Sequence, residues 1–147
     1  MHSMCCAVLF AIVGGVLLGS CSTTSADGDW EPMKWEAQHR AKVEKGVYMV
    51  GAACDTLRFS CSNYKGPWMS SAIEDGVELY PDVQNGNYRD IRGSHFSASI
   101  TGNELAVAFA ENQSADAHSV TLTVTAGDIF YTFRFLQAAP SNKDNSD

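Results

Sequence analysis

Residues 119–135 read SVTLTVTAGDIFYTFRF, and this stretch decides the fold. Its first half alternates apolar with hydroxyl residues: Val120, Leu122 and Val124 against Ser119, Thr121 and Thr123. Its second half alternates in the same way through Ile129, Tyr131, Phe133 and Phe135. Alternation with period two is typical of a strand that has one buried and one solvated face. Because the turn residues Ala126-Gly127-Asp128 separate the halves, the stretch predicts a β-hairpin.

The same period recurs upstream in three further segments, which carry Leu57-Phe59-Cys61, Phe96-Ala98-Ile100 and Leu105-Val107-Phe109 at alternate positions. Residues 47–50 and 77–80 add two shorter strands, so the chain has about seven. An all-β, immunoglobulin-like sandwich of two antiparallel sheets is therefore predicted over residues 30–137. Its core is expected to contain Leu57, Phe59, Leu105, Val107, Val120, Leu122, Val124, Phe133 and Phe135.

Residues 30–46 do not show this alternation. Pro32 near the start, Gly46 after the end, and Met33, Ala37 and Ala41 at four-residue spacing favour a short helix. Trp35 does not share the four-residue spacing of these positions, so an irregular or extended segment stays open as the alternative.

The first twenty residues are interpreted as an export signal. Residues 5–18 are apolar or small, a run that suits a signal peptide and is too short for a transmembrane helix, which needs about 20 residues. The run ends in Leu18-Gly19-Ser20-Cys21, which resembles a bacterial lipobox. Cys21 is expected to be lipidated, with an ordinary secretory signal as the alternative. The mature chain then begins with a flexible tether, residues 21–29, and ends in a disordered polar tail, residues 138–147.

The net charge bears on nucleic-acid binding, and the positions of the cysteines bear on disulfide bonds. The net charge is −7 and the ten Lys and Arg are scattered, which excludes the basic stripe of a nucleic-acid-binding protein. Cys54 and Cys61 lie seven residues apart on one extended segment, about 20 Å, whereas a disulfide tolerates about 7 Å between Cα atoms. They are predicted to be unpaired, with Cys61 buried as a small apolar residue.

Several motifs also resemble a known family. Leu57-x-Phe59 runs into Asn63-Tyr64 and Pro67-Trp68; Leu105-x-Val107 leads to Asn112-x-Ser114; and the last strand ends in Phe133-x-Phe135-x-Gln137. Together, over residues 47–137, these are similar to the BACON-type immunoglobulin-like domains of Bacteroidetes envelope lipoproteins. Ala117-His118 stands where that family commonly has an Arg. The resemblance implies an immunoglobulin-like sandwich, an envelope location and association with carbohydrate.

No catalytic motif is evident, and we predict no enzyme activity, no cofactor and no metal site. Glu74-Asp75 is interpreted as a solvated turn. Asp82, Asn85, Asn87 and Asp90 could offer oxygen ligands to Ca²⁺, but their spacing favours an ordinary turn.

The long connection at residues 81–93 is the main candidate for ligand binding, because long loops on a β scaffold often carry recognition. Aromatic rings stack on sugars while amides bind hydroxyl groups. The candidate residues are Tyr80, Asn85, Asn87 and Tyr88, with Trp30 and Trp35 as a second group that we expect rather to pack on the sandwich. Trp68 is predicted to lie in the core.

These observations predict a non-catalytic lipoprotein of the cell envelope, anchored to the outer membrane through lipid on Cys21. Two functions stay open. The chain either binds a glycan or serves as a structural subunit that pairs with another envelope protein. Exposed aromatic rings in a cleft would favour the first function, and a large flat apolar patch would favour the second.

Overall fold

The computed structural model describes residues 30–38 and 41–142, and these residues form an all-β fold. Eleven strands make two sheets, with no α-helix among the residues described. The strands are β1 (Trp35–Ala37), β2 (Lys42–Glu44), β3 (Val47–Val50), β4 (Asp55–Cys61), β5 (Trp68–Glu74), β6 (Val77–Leu79), β7 (Asp90–Arg92), β8 (Phe96–Thr101), β9 (Glu104–Phe109), β10 (His118–Ala126) and β11 (Ile129–Gln137). The all-β prediction is confirmed.

The two sheets contain five and six strands. The first has the order β1-β4-β9-β8-β7 and the second β2-β3-β11-β10-β5-β6. Every pair is antiparallel except β3 with β11, which run parallel. The predicted hairpin is β10–β11, in which Ala126 pairs with Ile129 across Gly127 and Asp128.

The core lies between the sheets and is rich in aromatic rings. Phe59 of the first sheet contacts Phe133 of the second with ring centroids 4.9 Å apart. Phe109 and Phe135 meet across the same interface at 5.4 Å. All nine predicted core residues are buried. This confirms the prediction, made from the alternating pattern, of which side chains of each strand point into the core. Cys61 is also buried, and Cys54 and Cys61 are both free thiols, as predicted.

Of the two alternatives for residues 30–46, the helix is wrong for the described residues 30–38 and 41–46, which are extended apart from a bend and a turn. Trp35, Glu36 and Ala37 instead pair with β4 as an edge strand. The second part of the segment forms a β2–β3 hairpin, whose turn residues Lys45 and Gly46 both have positive φ (50° and 79°). Gly46 resembled a helix terminator because a tight hairpin turn needs the same left-handed backbone.

The estimate of about seven strands missed β1, β2, β5 and β7. Three of these are three-residue strands, too short to show a period. The fourth, β5, has seven residues but a register shift opposite Thr123 and Val124. The extra residue of such a bulge breaks the alternation, so that Met69, Ala72 and Glu74 are buried.

The predicted signal peptide, the predicted lipidation site Cys21, the tether and residues 143–147 of the predicted disordered tail lie outside the described residues. Within residues 30–38 and 41–142, no helix is long and apolar enough to cross a membrane. At the other end, Ala138 continues the ordered contacts beyond β11: its N–H donates to the Val50 carbonyl at 2.8 Å.

Candidate functional site

A surface groove of about 730 Å³ lies between the start of β5 and the loop that precedes β7. We call it the aromatic groove; its lining residues are Gly66, Pro67, Trp68, Asn85, Gly86, Asn87, Tyr88, Arg89 and Asp90. Trp68 is 38% exposed and Tyr88 is 46% exposed. The groove therefore presents two large aromatic rings to solvent beside polar side chains.

The exposure of Trp68 contradicts its predicted place in the core, and the start of β5 explains it. Pro67 is buried just before the strand, and Met69 just after Trp68 is almost completely buried. Because neighbouring residues of a strand point to opposite faces, Trp68 points outward. The Met69 N–H also donates to the Tyr88 carbonyl at 2.8 Å, which ties the two aromatic residues to each other through the backbone.

Hydrogen bonds within the loop fix its shape. Asn85 Nδ2 donates to Asp82 Oδ2 at 2.7 Å, and Asn87 Nδ2 donates to Asp90 Oδ2 at 3.2 Å. Asn87 Oδ1 accepts the N–H of Arg89 at 3.0 Å. The four residues considered for Ca²⁺ are thus joined amide to carboxylate, a bonding pattern that favours the turn interpretation.

Tyr80 lies on the other side of the same loop. It lines a neighbouring cavity of about 610 Å³ together with Asn87, Asp90 and Arg92. Its hydroxyl donates to Glu78 Oε2 at 3.0 Å, and this hydrogen bond raises the pKa of Tyr80. Since Asn87 and Asp90 line both spaces, the four loop residues predicted from sequence belong to one continuous surface.

Trp35, the second of the two N-terminal tryptophans, is not part of this surface. Trp35 is half-buried and its ring packs edge-on against Phe133, with centroids 5.2 Å apart. Trp35 is therefore a packing residue rather than a ligand-binding one. Trp30 is 59% exposed and belongs to a separate N-terminal unit that ends at Glu31.

A second cluster of polar side chains surrounds the turn between β5 and β6, which the sequence pattern described as solvated. Glu74 is buried, and its carboxylate accepts the N–H groups of Ser94 and His95 at 2.7 and 2.6 Å. Gly93 permits this approach, because a Cβ there would lie 2.6 Å from the Phe96 ring and 2.8 Å from Glu74 Cδ. The interpretation of a purely solvated turn is therefore wrong for Glu74.

Asp75, the next residue, contacts the start of β10. Its Oδ1 accepts the Ser119 N–H at 2.8 Å, and its Oδ2 lies 2.7 Å from His118 Nδ1. Partial burial alone would raise the pKa of Asp75, but these hydrogen bonds and the nearby His95 outweigh it and hold the pKa below its usual value. The His95 and His118 rings are stacked, with centroids 3.7 Å apart.

Asp75, His118 and Ser114 are linked through the imidazole in the manner of a hydrolase triad, but the Ser114 hydroxyl also has acceptors other than the imidazole. Ser114 Oγ lies 3.2 Å from His118 Nε2 and donates to Asn112 Oδ1 at 2.7 Å. Asn112 Nδ2 donates hydrogen bonds to the carbonyls of Asp116 and Ala138, and these bonds fix the orientation of the amide. The Asp116 carbonyl, 2.9 Å from Ser114 Oγ, is a further acceptor for the hydroxyl, so the imidazole is one of several partners of Ser114.

No protein-family model matches the chain, and no curated protein matches it. The fold does match a solved structure, the NMR structure of a protein from Bacteroides thetaiotaomicron, with a TM-score of 0.68. The two sequences are 31% identical, and the match covers 83% of this chain and 99% of the Bacteroides chain. At this identity and coverage the chain belongs to the same family as that Bacteroides thetaiotaomicron protein.

Proposed function

We propose that this chain is a non-catalytic, lipid-anchored protein of the cell envelope that binds carbohydrate in the aromatic groove. The observation that carries the proposal is the joint exposure of Trp68 and Tyr88 in one groove. Sugar rings present apolar C–H faces that pack on aromatic rings, and their hydroxyl groups need polar partners close by.

The groove offers such partners. Arg89 supplies N–H donors and the Asp90 carboxylate supplies acceptors at its rim. Asn85 and Asn87 hold the loop through their own hydrogen bonds, so the rings are positioned before a ligand arrives. A rigid site avoids the entropic cost of ordering a loop on binding. The adjoining cavity with Tyr80 extends the surface and suits an oligosaccharide better than a single sugar.

The resemblance to BACON-type domains supports the same proposal from another direction. Those domains occur in envelope and surface proteins of Bacteroidetes and are associated with carbohydrate. The match to a Bacteroides thetaiotaomicron protein fits this origin. The lipobox at Cys21 supports attachment to the outer membrane.

The alternative, a structural subunit that pairs with another envelope protein, has weaker support. The edge strands β1, β7, β2 and β6 have three residues each, and short edges disfavour pairing with a further chain. The exposed apolar residues lie on several elements: Val43 on β2, Ile73 on β5, Val77 on β6, Val83 in the loop and Phe130 on β11.

A glycan array with the full-length protein tests the proposal. We expect binding to mucin or plant glycans that falls at least about tenfold in Trp68→Ala and in Tyr88→Ala, because each ring supplies stacking area at the centre of the groove. The control is Val43→Ala, which removes an exposed apolar side chain from β2, the far edge strand of the sheet that contains β5, and should leave binding unchanged.

Circular dichroism on the same variants separates lost binding from lost folding. The unfolding temperature should change little in the groove variants, since both rings are substantially exposed. If the unmutated protein binds no glycan, the structural alternative replaces the proposal. If binding survives both groove substitutions, the site lies elsewhere.

A further inference from the structure

The cluster at the β5–β6 turn has the composition of a metal site. Asp75, His95 and His118 each offer one ligand atom, and these atoms all lie within 4.8 Å of one another. They come from three places in the chain: the β5–β6 turn, the β7–β8 connection and the start of β10. The cluster lies at the opposite end of β5 from Trp68, about 20 Å away by strand rise, so it is separate from the aromatic groove.

The hydrogen bonds of His118 decide what its free nitrogen can bind. Nε2 lies 3.2 Å from Ser114 Oγ, whose hydroxyl has an acceptor in Asn112 Oδ1 at 2.7 Å, so Nε2 can carry the ring proton and donate it to Ser114. In that tautomer Nδ1 has a lone pair for a metal ion, and it lies 2.7 Å from Asp75 Oδ2.

We propose that Asp75, His95 and His118 bind a divalent transition-metal ion of the Zn²⁺ class. His118 Nδ1 and an Asp75 carboxylate oxygen face the ion from two sides, and the stacked His95 ring supplies the third ligand. Two imidazoles and one carboxylate suit Zn²⁺, Ni²⁺ or Cu²⁺, whereas Ca²⁺ prefers a shell of oxygen atoms. Three protein ligands leave a fourth tetrahedral position for water.

The spacing of the ligands fits this ion after a small adjustment. With bonds of about 2.0–2.2 Å in a tetrahedron, neighbouring ligand atoms lie about 3.4 Å apart. The Asp75–His118 pair therefore opens by about 0.7 Å. The His95 ring, stacked on His118 at an angle of 14°, also turns out of the stack so that the lone pair in its ring plane points at the ion. The Asp75 side chain is 39% exposed, which gives it room to move and gives the ion a path from solvent.

The surrounding residues hold the ligands in the way that metal sites require. With Nδ1 on the ion, the Nε2–H of His118 donates to Ser114 Oγ 3.2 Å away, and such a second hydrogen bond orients a ligating imidazole. The buried Glu74 carboxylate binds the backbone of Ser94 and His95 and so fixes the connection that carries the His95 ring. The Ser119 N–H restrains the Asp75 carboxylate through its other oxygen.

Calorimetric titration of the full-length protein with Zn²⁺ alone tests this site. We expect one ion per chain, with the affinity lowered at least 10- to 100-fold in His95→Ala and in Asp75→Asn. Neither change should unfold the protein. The hydrogen bonds of His95 use its backbone, and Asn-Gly supports the same tight turn as Asp-Gly.

Two control variants guard against binding elsewhere. Asp128→Asn removes an exposed carboxylate from the β10–β11 turn, and Cys54→Ser removes the exposed thiol; both should keep the affinity of the unmutated protein. Co²⁺ in place of Zn²⁺ should give the visible absorption of a four-coordinate site without a thiolate charge-transfer band. The proposal is overturned if the unmutated protein does not bind Zn²⁺, if His95→Ala binds it equally well, or if the thiolate band appears and is lost in Cys54→Ser.

Discussion

Leu122→Ala is expected to lower the free energy of unfolding by about 2–5 kcal/mol, because it removes buried methyl groups and leaves a cavity. Leu122 is fully buried near the middle of β10, where it pairs with Phe133 and Ala72 on the neighbouring strands. Urea denaturation measures the change as a shift of the midpoint at constant slope.

Thr123→Ala is the matched control, one residue along the same strand. Thr123 is partly exposed, and its hydroxyl lies 3.3 Å from that of Thr132 on the outer face. Its loss should cost less than about 1 kcal/mol. Equal losses at the two positions would contradict the parity of β10 and, with it, the position of the core.

Cys21→Ser is expected to abolish lipid attachment and release the protein from membranes. The sequence Leu18-Gly19-Ser20 directly before it resembles a lipobox, in which the thiol of the following Cys accepts the lipid. Acyl chains contribute about 0.8 kcal/mol per buried CH₂ group, so their loss removes the anchor. Radiolabelled palmitate, followed by separation of membranes from soluble protein, measures both effects.

Cys54→Ser is the control for this experiment as well, since it removes an exposed thiol without touching the lipobox. It should keep full labelling and stay with the membranes. Palmitate incorporation that persists in Cys21→Ser would rule out Cys21 as the lipidated residue.

The sequence pattern predicted those parts of the fold in which each strand alternates regularly. In β4, β9, β10 and β11 the side-chain period is uninterrupted, and all nine predicted core residues are buried there. The pattern missed β5, because a bulge shifts the parity within the strand. It misassigned Gly46, because a hairpin turn and a helix end make the same demand on the backbone.

The residues of the aromatic groove could be predicted from the sequence in part, whereas those of the Asp75–His95–His118 cluster could not. Tyr80, Asn85, Asn87 and Tyr88 follow one another in a single long loop, so their proximity could be predicted. Trp68 joins them only because the Met69 N–H binds the Tyr88 carbonyl, a contact between distant parts of the chain.

The Asp75–His118 contact spans 43 residues, and the stacking of His95 on His118 spans 23. No local pattern encodes such separations. Glu74-Asp75 was interpreted as a turn, and nothing near it in the sequence indicated the histidines.

The central claim, that the aromatic groove binds carbohydrate, is tested most directly by NMR. The chain has three tryptophans, and each indole N–H gives its own signal: Trp68 in the groove, Trp35 against the core, and Trp30 in the N-terminal unit. On titration with the best glycan from the array, the Trp68 signal should shift, together with the amides of residues 85–90, while the Trp35 signal stays in place. A titration in which the Trp30 signal shifts and Trp68 does not, or in which no signal shifts, would contradict the claim.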